Sequence, residues 1–241
     1  MASLPPSKCC TETVDKNGTT TGDYIDLYGV NCYVSGVKSD KVVVITTDIF
    51  GHTYKNNMLI ADGFAAAGYY TIIPDLFDGK PFRNEDFSGL MPWLSQIDLD
   101  AIHKLVDKFF KDLNDDLSPT FIGAVGHCFG ALFATRAISK GKPVTCAAVA
   151  HPSWTDIKDV EAITKPLLIS AAEDDPRFTP ELRALTEKTL KENKATYQLD
   201  LFSGCSHGYA VRGDESIPSV KYAKDKTFHD QVYWFNHWSN N

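Results

Sequence analysis

No apolar run in this 241-residue chain approaches the ~18 residues that a membrane-spanning helix needs, so a bilayer-embedded protein is not expected. Positive charge is also in short supply: 24 Lys and Arg stand against 31 Asp and Glu, a net charge of −7. That balance argues against nucleic acid or an anionic membrane surface as partner, since both reward clustered Lys and Arg. Six cysteines are too few for a disulfide framework. The opening Met-Ala-Ser-Leu-Pro-Pro-Ser-Lys has no apolar centre of the secretory kind, and Trp238-Ser239-Asn240-Asn241 is no lipidation or retention tail. The expected compartment is the cytosol, with thiols reduced and the protein a monomer. Repeats and low-complexity linkers are missing as well. One domain over 1–241 is therefore expected, with 1–40 as an N-terminal extension and hairpin.

What is present is an alternation of strands and helices. Tyr24 to Tyr33 reads as a hairpin around Gly29, and Lys41 to Thr47 as a β-branched strand buried on both faces. Asn56 to Ala67 has helical spacing, stopped by Gly68, and Tyr70 to Ile73 is the next strand. Residues 75–95 read as a long irregular loop with four aromatics, Phe77, Phe82, Phe87 and Trp93, a possible pocket cover. Further helices are predicted over Ile97–Leu113, Phe129–Ser139, Pro180–Asn193 and Ile217–Trp238. Strands are predicted over Pro119–Val125, Val144–Ala150, Lys165–Ser170 and Ala195–Phe202. This order specifies an α/β fold: a mostly parallel sheet with helices on both faces. In such sheets the chemistry sits just beyond the C-terminal strand ends.

Gly126-His127-Cys128-Phe129-Gly130 has the form of a nucleophile elbow, Gly-x-Ser-x-Gly, with Cys in the Ser position. A strand precedes it and an Ala-rich helix follows, as a tight strand–turn–helix requires. The helix N-terminus favours thiolate, and the Phe129 N–H would face a developing oxyanion. In this architecture an acid and then a His follow the nucleophile, each after a later strand. Asp174 and Asp175 follow one strand and His207 another, so chain order and placement both agree. Spacing alone does not choose between the two aspartates. Among the seven histidines, His103, His229 and His237 fall in helices, and His127 should point away from Cys128. His52 and His151 follow strands and could reach the rim. His207 alone has the required order, with the small Gly208 to let it approach. Cys32 and Cys146 lie in apolar runs as core residues. The adjacent Cys9 and Cys10 lack two further soft ligands at a usable spacing, so no metal or other cofactor is expected and the pair reads as structural.

Four segments together resemble the dienelactone hydrolase family of the α/β-hydrolase superfamily, particularly its fungal members. They are Asp48-Ile49-Phe50-Gly51, Pro74-Asp75-Leu76-Phe77, the Cys128 elbow and Ser206-His207-Gly208-Tyr209-Ala210. The resemblance runs from about Val42 to the C-terminus. It implies an α/β-hydrolase fold and hydrolysis of a small ester or lactone through a thioester intermediate. It implies Cys128 as nucleophile, His207 as base, Asp175 as the acid that holds it, and the N–H groups of Ile49 and Phe129 as oxyanion hole. Two positions depart from the family pattern. Asp48 replaces a Glu that modulates the nucleophile, one methylene shorter. The arginines that hold a substrate carboxylate have only Lys80, Arg83 and Arg212 near their places, and Lys does not reproduce a bidentate Arg fork.

Two other classes fit the same residues. One is a non-catalytic ligand-binding or regulatory protein on a hydrolase scaffold, for which Asp48 is the motive. The other is a thiol redox sensor in which Cys205, two residues before His207, resolves an oxidised Cys128.

Overall fold

The computed structural model describes residues 1–14, 17–83 and 87–240; residues 84–86 of the expected 75–95 loop lie outside that description. Eight strands form one sheet in the order β1-β2-β4-β3-β5-β6-β7-β8. The hairpin β1 (Asp23–Leu27) and β2 (Val30–Ser35) is antiparallel, and β2 runs antiparallel to β4 (Tyr70–Pro74). The rest is parallel: β4 with β3 (Lys41–Thr46), then β5 (Phe121–His127), β6 (Cys146–Ala150), β7 (Leu167–Asp174) and β8 (Tyr197–Ser206).

The strand sequences explain why both faces are covered. Side chains alternate across a strand, and in β3 Val42 and Val44 enter one core while Val43 and Ile45 enter the other. The first core is closed by α3 (Leu99–Leu117), α4 (Ala131–Ala137) and α6 (Pro180–Glu192). The second is closed by α1 (Lys55–Ala66), through Ala61 and Phe64, and by α8 (Pro218–Trp238), through Phe235.

Several boundaries differ from the sequence expectation for identifiable reasons. Helix α3 starts later because Asp98 caps it, accepting from the Ala101 N–H at 3.0 Å; it ends at Ser118, whose φ of 44° is left-handed. The 75–95 segment is not wholly irregular, since α2 (Leu90–Leu94) forms within it. Two short helices, α5 (Ile157–Glu161) and α7 (Tyr209–Arg212), carry too few residues for periodicity to reveal them. The expected helix from Phe129 begins as a 3₁₀ turn at Cys128–Gly130. Strand β8 extends to Ser206 by pairing with Asp174 across an irregularity in register. That extension carries His207 to the loop that holds Asp175.

Among the described residues no helix is long and apolar enough to cross a membrane.

Candidate active site

Cys128 follows β5 directly, with a φ of 51°. A β-carbon-bearing residue pays for that conformation, and the surroundings must hold it there. The two flanking glycines are demanded by space. A β-carbon on Gly130 would lie 1.9 Å from the Thr46 carbonyl oxygen, and one on Gly126 would lie 2.6 Å from Ala131 Cα. The Thr46 hydroxyl secures the turn, within hydrogen-bond distance of the carbonyls of Val125 (3.0 Å) and Gly130 (2.8 Å).

A hydrogen-bonded chain of three side chains crosses the strand ends. His207 Nε2 lies 3.1 Å from Cys128 Sγ, and His207 Nδ1 lies 2.9 Å from both carboxylate oxygens of Asp175. Asp175 is itself oriented by the N–H groups of Arg177 (2.8 Å) and Phe178 (3.1 Å). Its neighbour Asp174 ends β7 and pairs in register with Ser206, so the structure resolves the rivalry between the two aspartates as imidazole partner in favour of Asp175. All three side chains are buried.

Electrostatics favour charge separation between thiol and imidazole. Burial pushes the Cys128 thiol up, but the hydrogen bond with Cys10, the His207 charge and the nearby His151 outweigh it and hold Cys128 well below the ordinary thiol value. Burial alone would lower His207; the Cys128 thiolate and the Asp175 carboxylate reverse that and raise it. Burial likewise opposes the Asp175 charge, and its bond to His207 more than compensates, so its pKa falls.

Asp48 lies beyond the end of β3 and is fully buried. Its Oδ2 accepts from Arg212 Nε at 3.0 Å, and its Oδ1 accepts from Asn57 Nδ2 at 3.1 Å and from the Phe50 N–H at 3.2 Å. Burial raises the Asp48 carboxyl, Arg212 pulls it down, and the Cys128 thiolate adds to the rise. Arg212, expected to meet a substrate carboxylate, instead spends its Nε on Asp48 and donates a second hydrogen bond to the Glu12 carbonyl. Gly208 has a use different from the one expected. A β-carbon there would lie 2.4 Å from Arg212 Nη2, so its smallness makes room for the guanidinium. Lys80 is exposed beside Asp78 at 3.8 Å, and Arg83 donates to the Thr53 hydroxyl. Ile49 and Phe129 are both fully buried, Phe129 directly after Cys128 and Ile49 directly after Asp48.

His151 was only a rim candidate by sequence. It is fully buried after β6, with a φ of 38°, and its ring packs edge-on against His207 at 5.2 Å. Burial lowers it to about 4, which keeps it neutral. His127 stacks on His151 at 6.0 Å, and burial lowers it to about 3. His52 lies apart, 3.0 Å from Asn31 Oδ1 and 3.4 Å from Asp75. The Pro-Asp-Leu-Phe segment is a turn device: Asp75 accepts from the N–H groups of Phe77 at 2.9 Å and Gly79 at 2.5 Å. Phe77 and Trp93 then pack on Phe129, at 5.5 and 6.5 Å between ring centroids.

The N-terminal segment is the largest departure from expectation. The backbone of Ala2, Ser3 and Leu4 bonds to the loops after β6 and β7, at Thr155 (2.8 and 3.0 Å) and Arg177 (2.7 Å). Farther on, the Val14 N–H donates to the Arg212 carbonyl at 3.1 Å. Between these anchors Cys10 lies with its sulfur 3.7 Å from Cys128 Sγ, and both thiols are wholly enclosed. The expectation that Cys9 and Cys10 lack further soft ligands is therefore corrected, because the fold places a ring nitrogen of His207 within 4.8 Å of both sulfurs and Cys128 beside Cys10. The Cys205 pairing is corrected as well. Cys205 packs with Ala172, Tyr209, Val220 and Ala223, its sulfur 3.9 Å from the Ser219 carbonyl, and the thiol beside Cys128 is Cys10.

The sheet order, the sharp turn after β5 and the position of His207 after the last strand are those of the α/β-hydrolase fold. A solved dienelactone hydrolase-like promiscuous phosphotriesterase from metagenomic libraries has the same fold, with a TM-score of 0.70 over 92% of this chain and 99% of that one at 17% identity. Within that superfamily the chain belongs to the dienelactone hydrolase family, whose model matches residues 30–239. Its relatives include hydrolase pyvD of Aspergillus violaceofuscus and hydrolase tropI of Talaromyces stipitatus. Each is 34% identical, with 98% of this chain and 98% of the relative aligned.

Proposed function

We propose that the chain hydrolyses a small ester or lactone by covalent catalysis at Cys128. The observation that carries the reading is the hydrogen-bonded chain from Asp175 through His207 to Cys128 Sγ, at 2.9 and 3.1 Å. The Cys128 thiolate attacks the carbonyl carbon, and the oxyanion is met by the N–H groups of Ile49 and Phe129. The carbon–oxygen bond breaks, and the departing alkoxide takes a proton from the His207 imidazolium. A thioester remains. Water then gives its proton to His207 as it attacks the acyl carbon, and the Cys128 thiolate is expelled. Asp175 holds the imidazole in orientation throughout. Asp48, engaged by Arg212, modulates the thiolate through charge. Lys80 and Arg83 supply positive potential for an acidic substrate, while Arg212 stays committed to Asp48. Because Cys128 has no exposure, substrate entry requires the covering segment to give way.

The test is a screen of aryl esters and small lactones, run beside Cys128→Ala. Turnover in the parent and a loss of about three orders of magnitude or more in the variant, with the fold retained, is the expected result. Equal turnover in both would sink the assignment. Complete enclosure of Cys128 favours one second reading, a ligand-binding protein without turnover. Ligand binding near Cys128 with no hydrolysis across the panel, even with the covering segment displaced, would support it.

A further inference from the structure

Cys9, Cys10 and His207 each bring a ligand atom to one point, all within 4.8 Å of one another. Cys128 stands outside that group of three but touches two of its members, its Sγ 3.7 Å from Cys10 Sγ and 3.1 Å from His207 Nε2, so ligation by all four needs it to draw in toward Cys9. We propose that these four side chains form a site for a soft divalent cation, with Zn²⁺ the best match, clasped between the N-terminal turn and the Cys128 elbow.

The donor set is three sulfurs and one imidazole nitrogen, which suits tetrahedral zinc. With bonds of about 2.3 Å, two thiolates on one zinc stand about 3.8 Å apart. The Cys10–Cys128 separation already has that value. A sulfur and a nitrogen on the same ion stand about 3.6 Å apart, so Cys128 and His207 need to part by only a few tenths of an ångström. His207 is also oriented as a zinc ligand commonly is. Its Nδ1 is bound to the Asp175 carboxylate and its Nε2 faces the sulfurs, the carboxylate–histidine arrangement that fixes such ligands.

The adjacent thiols are held by local structure. Lys8–Cys10 is a 3₁₀ turn, the Ser7 N–H donates to Cys10 Sγ at 3.4 Å, and the Ser7 hydroxyl lies 3.4 Å from Cys9 Sγ. Cys9 is partly exposed while the other three ligands are buried, so Cys9 marks the side from which an ion enters. A bound ion would occupy the sulfur of Cys128 and the lone pair of His207 together and would tie the covering segment over both. Binding stands on these side chains alone; only the resulting loss of turnover rests on the catalytic reading above.

The experiment titrates the reduced, metal-free, full-length chain with Zn²⁺, and separately with Co²⁺ as an optical probe. One equivalent should bind. Co²⁺ should give strong visible bands of tetrahedral geometry and thiolate charge-transfer absorption in the near ultraviolet. Cys9→Ser and Cys10→Ser should each weaken Zn²⁺ at least tenfold while circular dichroism shows the fold intact, and Cys128→Ser should reduce the charge-transfer intensity. Turnover, where present, should fall with Zn²⁺ saturation and return with chelator, and Cys9→Ser should hydrolyse normally without metal but resist Zn²⁺. Absence of stoichiometric binding, a six-coordinate cobalt spectrum, or undiminished affinity in both Cys9→Ser and Cys10→Ser would overturn the site. Metal binding to a chain that hydrolyses nothing would leave the site standing and remove the catalytic reading alone.

Discussion

Replacing Arg212 by Met removes the partner of a carboxylate that has no route to water. Asp48 and Arg212 side chains are 0% and 1% exposed, with Nε 3.0 Å from Oδ2. Breaking one side of a buried pair costs about 3–5 kcal/mol, mostly because the remaining charge is uncompensated. Asp48 keeps two hydrogen bonds, from Asn57 and from the Phe50 N–H, so the lower end, about 3 kcal/mol, is expected. Adding Asp48→Asn removes the stranded charge and should recover at least about 1 kcal/mol. Full recovery is not expected, because Arg212 also donates to the Glu12 carbonyl and lies over the Phe50 ring at 5.5 Å. Urea denaturation of the parent, both single variants and the double variant measures the coupling.

The sign of the pH dependence follows from the direction of the shift. Burial already raises Asp48 in the parent, and loss of Arg212 raises it further. A carboxyl raised on folding binds more protons in the folded state, so its unfavourable contribution is absent below the unfolded value and grows as pH rises through the folded one. The penalty of Arg212→Met should therefore shrink as pH is lowered from neutral, by about 1.4 kcal/mol for each unit of added shift. A cost below about 1 kcal/mol, or a double variant no more stable than Arg212→Met, would refute the claim that this pair is energetically coupled.

Gly130→Ala places a β-carbon on the Thr46 carbonyl, so it should destabilise by about 3 kcal/mol or more in thermal or urea unfolding. Ultraviolet thiolate absorbance, taken as the difference between the parent and Cys128→Ala, should appear well below the ordinary thiol range and shift to higher pH in Cys10→Ala, which loses the hydrogen bond. Deleting residues 1–14 should leave the sheet folded and speed alkylation of Cys128 by iodoacetamide at least tenfold, read by mass spectrometry, because that segment supplies the thiol packed against it.

Much of the fold was legible because it rests on local, repeating signals. The two-sided burial of β3 shows in its unbroken Val-Val-Val-Ile, and the strand–helix order follows from periodicity. The elbow was legible for a steric reason, since only glycine fits at 126 and 130 against neighbouring atoms. Short elements were not, because four or five residues make no period; α5 and α7 emerged only through packing. Spacing left Asp174 and Asp175 open and the family resemblance pointed to Asp175; the register of β7 and β8 supplies the physical reason, since one residue along the chain changes which carboxylate reaches the imidazole.

The largest share left to tertiary structure lies in the contacts between distant segments. Residue types and chain order marked Cys128 and His207, because the turn and strand-end placement of each is encoded nearby. Nothing near Cys9 and Cys10 announces that they meet residues more than a hundred positions away. Arg212 illustrates the same division: its charge is written in the chain, but its commitment to Asp48 depends on the space left by Gly208 and on the sheet bringing α7 beside the loop after β3. The sequence by itself determined a strand-end thiol and imidazole on a parallel sheet. Family resemblance pointed to Asp175 as the acid that holds that imidazole; tertiary structure alone decided which arginine is spent on a buried carboxylate and which segment closes over the thiol, because each is a contact between chain segments that carry no local record of one another.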